Sequence, residues 1–341
     1  MTEKQYGGTT GRSSGDKSLN NAPAKPLNKT THKEQISDNK SEKTNSSVEE
    51  KDNFIKAGKI ASQVVAYARE LIKRDMPLLE IANKIEDKIL ELKAKPAFPV
   101  NLSIDETAAH DTPAFNDTRV ASGLLKVDIG AHMEGCIADI AFSLDLDNND
   151  ENKKLIKAAE EALKNACDKI NEGVSTREIG AVIEKTIKSY GFEPIHNLSG
   201  HSIEPWSLHS GITMPNHDNS RDIKLEPGVY AIEPFATTGL GTVRDGKPSG
   251  IYRIERELPV RDAFAREVLA FIYEEYRTLP FCSRWIQKRF GSRGLLALRR
   301  IEEAGIVHHY PQLIESSGKK VSQAEHTLLI DKDKKKIITT E

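Results

Sequence analysis

Apolar and polar positions divide the chain into an N-terminal stretch without core-forming residues and a longer part with regular periodicity. Residues 1–50 are rich in Ser, Thr, Asn, Lys and Gly, which predicts a disordered polar tail. From residue 54 the segment "FIKAGKIASQVVAYARELIKR" has apolar residues at helical spacing. Pro77 then opens a second predicted helix, whose apolar stripe consists of Leu78, Ile81, Ile85 and Ile89. Ordered structure is therefore expected from about residue 53 to residue 341.

The second helical stripe recurs later in the chain. "EIANKIEDKI" from Glu80 and "EIGAVIEKTI" from Glu178 share Glu, Ile, Ile, Glu and Ile at a constant offset of 98 residues. "NLS" follows at Asn101 and again at Asn197, and each copy continues to a histidine and to an apolar strand with an acid, "LKVDIG" or "GVYAIEP". This order predicts an α/β protein of two related halves packed as one domain, with polar residues of both halves at their junction.

The segment "VDIGAHMEGCIADIAF", residues 127–142, predicts a buried hairpin that carries two acids. If the chain folds back about Met133 and Glu134, Asp128 lies opposite Asp139 on the same face of the sheet. Directly opposed Cβ atoms are only about 4.5–5.5 Å apart, where like charges repel, so a cation between the two acids is expected. A displaced turn would instead place the acids on opposite faces, which leaves an ordinary hairpin as the alternative.

Two further acids and two histidines lie in comparable surroundings. Glu233 in "VYAIEPF" and Glu325 in "QAEHTLLI" belong to otherwise apolar strands. His201 and His209 in "SGHSIEPWSLHSGITMPN" are flanked by Gly, Ser and Pro, which is typical of loops or strand edges. Each residue alone has an ordinary interpretation as a cap or a hydrogen-bonding group. Together with the hairpin acids they make four carboxylates that are costly to desolvate unless cations compensate them.

Four carboxylates and one imidazole form an oxygen-rich ligand set that suits two divalent ions. Two such ions about 3.5–4 Å apart hold a bridging water, lower its pKa and polarise a carbonyl, as in aminopeptidases among other hydrolases. The set suits Mn²⁺, Fe²⁺ or Co²⁺ at least as well as Zn²⁺, so the sequence leaves the metal open.

Composition narrows the class of protein without choosing a function. The net charge of -2 over 341 residues gives no overall attraction to nucleic acid or anionic lipid. Cys136, Cys167 and Cys282 are odd in number and widely separated, which argues against a disulfide framework and indicates a reducing compartment. Apolar stretches stay well below the roughly 18 residues that span a bilayer, and the N-terminus has no hydrophobic signal core. We expect a soluble cytoplasmic protein without a membrane partner.

Five motifs in order, "FPVNLSIDETAAHDTP", "VDIGAHMEGCIADIAF", "SGHSIEPWSLHSGITMPN", "YAIEPFATTG" and "QAEHTLLI", resemble those of type II methionine aminopeptidases in their archaeal form. The resemblance covers the chain from about residue 53 to its end and implies the pita-bread fold, an α/β fold with a pseudo-twofold repeat. The residues that match the five metal ligands of the family's dinuclear site are Asp128, Asp139, His201, Glu233 and Glu325.

The same resemblance implies roles for individual residues. Asp139 and Glu325 match the bridging carboxylates, and Glu233 matches the general base. His110 and His209 match the two histidines that contact the substrate. The implied activity is removal of N-terminal methionine from nascent polypeptides, with a small second residue preferred. Two divalent ions, Co, Mn, Fe or Zn, are the implied cofactor.

The apolar pocket and a helical insert can also be predicted from the sequence. Phe98 and Leu208 are candidates for the apolar wall around the methionine side chain. Residues 256–312 predict helices inserted between the strands of Glu233 and Glu325, resembling the winged-helix-like insert of type II enzymes. We expect a monomer without a specific nucleic-acid partner, and the sequence leaves open whether the protein contacts the ribosome transiently.

Two alternative functions are an inactive binding module for RNA or nascent chains and a prolidase-like peptidase. Ser210 stands where prolidases usually carry glutamate, which argues against the second alternative.

Overall fold

The repeat predicted from the sequence is visible in two helices of the structure, a computed structural model that describes residues 38–333 and 335–341, with side chains from residue 48 onward. Helix α2, Leu78–Glu91, and helix α4, Thr176–Ser189, begin and end 98 residues apart. Their buried faces also correspond, since Ile81, Ile85 and Ile89 of α2 match the buried isoleucines of α4 at the same offset. A capping box formed by Ser175 and Glu178 starts α4, whereas Pro77 precedes α2.

The elements alternate between helices and short strands. The helices are α1 Asp38–Leu71, α2, α3 Asp150–Lys169, α4, α5 Ala263–Glu275 and α6 Ser283–Glu303. The strands are β1 Lys95–Pro96, β2 Asn101–Ile104, β3 Thr107–Ala109, β4 Leu124–Met133, β5 Cys136–Asp145, β6 Glu193–Pro194, β7 Ser199–Ile203, β8 Thr213–Pro215, β9 Gly228–Ile232, β10 Phe235–Thr237, β11 Val243–Ile254, β12 Phe281–Cys282, β13 Val307–Glu315, β14 Val321–Gln323, β15 His326–Ile330 and β16 Lys336–Ile338.

Each half contributes an antiparallel sheet built in the same order. In the first half β4 pairs with β2 and with β5, and in the second half β9 pairs with β7 and with β15. One hydrophobic cluster packs α1 and α2 against the first sheet, and another packs α3 and α4 against the second. The two sheets meet where Ala141 of β5 forms a bridge with Glu325. This arrangement confirms the prediction of two related halves with polar residues at their junction.

The hairpin of β4 and β5 is present, but its register differs from the predicted one. Asp139 pairs with Gly130, and Asp128 pairs with Ala141, because the turn is centred on Glu134 and Gly135. Both turn residues have positive φ, 50° and 86°, as tight hairpin turns require. The predicted direct opposition of the two acids is therefore wrong. Relative to the prediction, the centre of the turn is shifted by one residue, so each residue of β4 pairs with a residue of β5 two positions further along. Because side chains alternate along a strand, this shift keeps both acids on one face of the sheet, and the alternative of opposite faces is wrong as well.

The segment predicted as a helical insert, residues 256–312, contains two helices, but from Val307 onward it is strand β13. Helix α5 is followed by α6, which is broken at Gly291 by non-helical backbone angles. The two helices pack on β11 and β13 around a separate hydrophobic cluster. A buried ion pair ties this insert to α2: Arg284 Nη1 lies 2.7 Å from Glu86 Oε2.

The start of helix α1 differs from the predicted boundary of the polar tail. Helix α1 begins at Asp38, so residues 38–50 are helical where a disordered tail is predicted, and the rest of that tail, residues 1–37, lies outside the described residues. Lys51 on α1 pairs with Asp331 at 2.9 Å. Cys136, Cys167 and Cys282 are all buried free thiols. Within the described part of the chain, every helix is too short or too polar to cross a membrane.

Candidate metal and peptidase site

All nine residues that the sequence singles out line one cavity of about 260 Å³ at the junction of the two halves. They are Phe98, His110, Asp128, Asp139, His201, Leu208, His209, Glu233 and Glu325. Residues up to 227 positions apart in the chain thus reach one place because the sheets of both halves end there.

Strands of both sheets deliver the five candidate ligands. Asp128 and Asp139 belong to β4 and β5, and His201 belongs to β7. Glu233 directly follows β9, and Glu325 directly precedes β15. His201 Nε2 lies 3.6 Å from Asp139 Oδ2 and 4.0 Å from Glu233 Oε1. Ligand atoms of Asp139, His201 and Glu325 all lie within 4.8 Å of one another, a spacing that one cation can bridge.

The carboxylates of this cluster carry more negative charge than the protein compensates. Burial, followed by repulsion from Asp139, holds the pKa of Asp128, Glu233 and Glu325 well above the usual range. Burial also raises the pKa of Asp139 to about 7. Among the described residues no hydrogen-bond partner reaches the buried oxygens Asp128 Oδ1, Asp139 Oδ1 and Glu325 Oε1. Unpaired buried carboxylate oxygens next to a neutral imidazole fit divalent cations as the missing partners.

The imidazole of His201 is suited to metal binding. Burial lowers its pKa to about 4, so the ring is neutral at pH 7 and keeps a free lone pair. His209 packs edge-on against it with ring centroids 4.3 Å apart. Burial, and then the neighbouring His201, lowers the pKa of His209 to about 3. Both rings therefore enter the cavity as neutral groups that can donate or accept a hydrogen bond.

His110 reaches the cavity from the loop after β3, and its backbone is held in a left-handed conformation with φ of 58°. Its ring lies edge-on against Tyr310 of β13, with centroids 5.3 Å apart. Burial, followed by His209, lowers its pKa to about 4. The next residue, Asp111, accepts hydrogen bonds from Arg119 at 2.6 and 2.9 Å and from Gln312 at 2.7 Å. Asp111 therefore anchors the His110 loop instead of lining the cavity.

The apolar wall contains the two predicted residues and several more. Phe98 and Leu208 are 5% and 9% exposed, and both belong to one hydrophobic cluster beside the cavity. Phe98 packs so closely on β4 that a Cβ at Gly130 would come within 2.3 Å of its ring, which explains a glycine two residues after Asp128. Sequence reasoning missed Leu198, Phe235, Ile251, Tyr310 and Leu313, which complete this wall.

Two polar residues that support the ligands also escaped the sequence analysis. The hydroxyl of Thr327 donates to the backbone oxygen of Asp139 and accepts from its backbone N–H, both at 2.8 Å. The amide of Gln323 points to Glu325 Oε2 at 3.4 Å. In an extended chain, the side chains of residues 323, 325 and 327 point to the same face. Their positions two residues before and after Glu325 could therefore have identified Gln323 and Thr327 from the sequence.

Comparisons with known proteins identify the family of the chain. A model of metallopeptidase family M24 matches residues 52–262. The chain belongs to metallopeptidase family M24. Within the family it is 48% identical over 298 residues to a methionine aminopeptidase of Pyrococcus abyssi, covering 85% of this chain and 99% of the relative. It is 43% identical over 293 residues to that of Methanothermobacter thermautotrophicus, covering 84% and 98%. These relatives confirm the predicted archaeal-type methionine aminopeptidase and its activity, metal-dependent removal of N-terminal methionine.

Solved structures of M24 proteins and their relatives confirm the fold. A thermophilic Arx1 matches with a TM-score of 0.70 at 15% identity, covering 82% of this chain and 87% of that one. A methionine aminopeptidase of Thermotoga maritima matches with a TM-score of 0.61 at 20% identity, covering 84% and 94%. The prolidase of Pyrococcus furiosus matches with a TM-score of 0.55 at 19% identity, covering 86% and 64%. At these identities the likeness concerns the pita-bread fold alone.

Proposed function

We propose that Asp128, Asp139, His201, Glu233 and Glu325 hold two divalent metal ions and that methionine removal takes place on this cluster. The observation that carries the proposal is a set of four carboxylates in one cavity, three of which have a buried oxygen without a hydrogen-bond partner among the described residues. Asp139 and Glu325, whose ligand atoms lie within 4.8 Å of each other and of His201, are proposed to be the ligands that the two ions would share. Divalent ions bound here would lower the pKa of water and polarise the scissile carbonyl.

The residues of the chain supply proton transfer and orientation. Glu233 is proposed to accept the proton of the attacking water and to pass it to the nitrogen of the leaving amine, since its carboxylate lines the cavity 4.0 Å from His201 Nε2. The neutral rings of His209 and His110 are proposed to hydrogen-bond the scissile peptide and hold its carbonyl in place. Phe98 and Leu208 would enclose the unbranched methionine side chain.

The two alternatives have little support. An inactive binding module would have lost metal ligands, whereas all five candidate ligands of this chain line one cavity and the chain is similar to methionine aminopeptidases over most of its length. A prolidase-like site would place a glutamate after the second histidine of its motif. Here Ser210 donates a hydrogen bond to Ser202 Oγ at 2.8 Å and offers no carboxylate.

A side-by-side assay tests the proposal. We expect Met-Ala-Ser to be cleaved well, Met-Leu-Ser poorly because a bulky second residue crowds His209, and acetyl-Met-Ala-Ser and Gly-Pro hardly at all, with Mn²⁺, Fe²⁺ and Co²⁺ supplied in turn. Glu233→Gln should abolish cleavage, whereas Glu204→Gln, an exposed carboxylate outside the cavity, should not. Best cleavage of Gly-Pro under every metal, or near-normal kcat in Glu233→Gln, would refute the proposal.

The cellular context is part of the same proposal. We propose a monomer that acts in the cytoplasm on the N-termini of new polypeptides, because its composition provides neither a membrane segment nor a strong net charge. Size-exclusion chromatography with light scattering measures the first point. Sedimentation with ribosomes measures the transient contact that the sequence leaves open.

A further inference from the structure

A second cavity of about 280 Å³ adjoins the catalytic cavity and shares Leu208, His209, Pro280 and Tyr310 with it. Its remaining walls come from the loop around Trp206, from the end of β11 and from Thr278 of the insert. His209 and Tyr310 therefore stand between the two cavities. We call the second one the adjoining cavity.

The adjoining cavity contains the half-buried cation Arg253, whose Nε has no hydrogen-bond acceptor among the described residues. Arg253 of β11 faces His308 across the sheet, and its guanidinium lies 6.0 Å from the centre of the Tyr310 ring. Its Nε is buried and finds no hydrogen-bond acceptor, and no carboxylate of the described residues lies within 4.0 Å of the guanidinium. A buried donor of this kind needs an acceptor from outside the chain, from water or from a ligand.

The position of Arg253 relative to the shared wall indicates which part of a ligand it meets. An extended peptide advances about 3.3–3.5 Å per residue. With the first residue in the catalytic cavity and the scissile peptide beside His209, the third residue of an extended substrate would reach the adjoining cavity past the shared residue Tyr310. Glu255, the carboxylate of this lining, directly follows β11 and stands two residues after Arg253, about 7 Å further along an extended chain.

We propose that the adjoining cavity binds the third residue of the substrate and that Arg253 selects an acidic side chain there. The inference rests on the proposed function, because it takes the catalytic cavity as the site of the scissile bond. A carboxylate at this position would accept charge-assisted hydrogen bonds from the guanidinium, which are stronger than those made by a neutral amide.

Amidated peptides isolate the side-chain carboxylate from the peptide terminus. We expect Met-Ala-Glu-Ser amide to have a kcat/KM about five- to tenfold above Met-Ala-Gln-Ser amide, mainly through KM, because a charged acceptor gains roughly 1 kcal/mol over a neutral one. Met-Ala-Lys-Ser amide should be the poorest of the three. Arg253→Gln should bring the Glu and Gln peptides to the same kcat/KM.

Arg256 offers a matched control for the substitution of Arg253. Arg256→Gln makes the same charge change at an exposed residue that does not line either cavity, and it should keep the preference for glutamate. Equal kcat/KM for the Glu and Gln peptides in the wild type, or a preference that survives in Arg253→Gln, would overturn this inference and leave the proposed function standing. Failure to cleave any of the three peptides would overturn both.

Discussion

Thr327 offers a way to separate ligand positioning from general stability. Its hydroxyl is fully buried and serves both backbone groups of Asp139 at 2.8 Å, which ties β15 to β5 at a candidate ligand. Thr327→Val keeps the shape of the side chain and leaves two buried backbone groups without their partner. Each such group costs about 1–3 kcal/mol, so we expect a loss of about 2–6 kcal/mol in unfolding free energy.

A second threonine makes a matched control. Thr237 on β10 is also fully buried, donates to the backbone oxygen of Lys320 at 2.8 Å and accepts from Gly239 N–H at 2.9 Å. Thr237→Val should therefore cost a similar unfolding free energy, but Thr237 does not line the catalytic cavity. Metal affinity should fall about 10- to 100-fold in Thr327→Val alone, as for residues that support a metal ligand.

The assay combines urea unfolding of metal-free protein with calorimetric titration of Mn²⁺ into both variants. Thr327→Ser, which retains the hydroxyl, should recover most of the affinity. Equal affinities in Thr327→Val and Thr237→Val would show that the hydroxyl of Thr327 contributes to folding only, and the positioning argument would be refuted.

Three further predictions concern the insert, the pH dependence and the N-terminal residues. Arg284→Met should destabilise the protein by about 3–5 kcal/mol in urea unfolding, because it leaves the buried carboxylate of Glu86 unpaired, whereas exposed Lys288→Met should change little. The pKa of Asp139 is raised to about 7 in the folded protein, against 3.8 in the unfolded chain, so the folded metal-free state binds the proton more tightly. Proton binding therefore stabilises the folded state at low pH, and this stabilisation is lost as the pH rises through about 7. Metal-free Asp139→Asn should therefore gain stability relative to wild type between pH 5 and pH 7.5, and a constant difference in melting temperature would contradict the assignment. Deleting residues 1–37 should leave kcat and KM for Met-Ala-Ser within about twofold, since that stretch lacks core-forming residues, and a large drop in kcat would contradict this.

The candidate site was predictable because its acidic residues lie in otherwise apolar strands, where a buried carboxylate is unfavourable without a partner. Acids such as Asp139 and Glu325 stand out in apolar strands, and the 98-residue repeat indicates that both halves face one junction. The register of the hairpin was not predictable from symmetry, because the positive φ of Glu134 and Gly135 decides where the chain turns. Thr327 and Arg253 were also missed, since an ordinary threonine or arginine acquires its meaning only from residues distant in sequence.

The central claim is that the five-residue cluster holds the metal ions on which methionine release depends. We would remove metal from the purified protein, add Mn²⁺ stepwise, and measure bound ions and methionine released from Met-Ala-Ser on the same samples. The account predicts two bound ions per chain in the wild type, release that rises with occupancy, and loss of both in Asp139→Asn. Full release from metal-free protein, or near-normal metal content and release in Asp139→Asn, would contradict it.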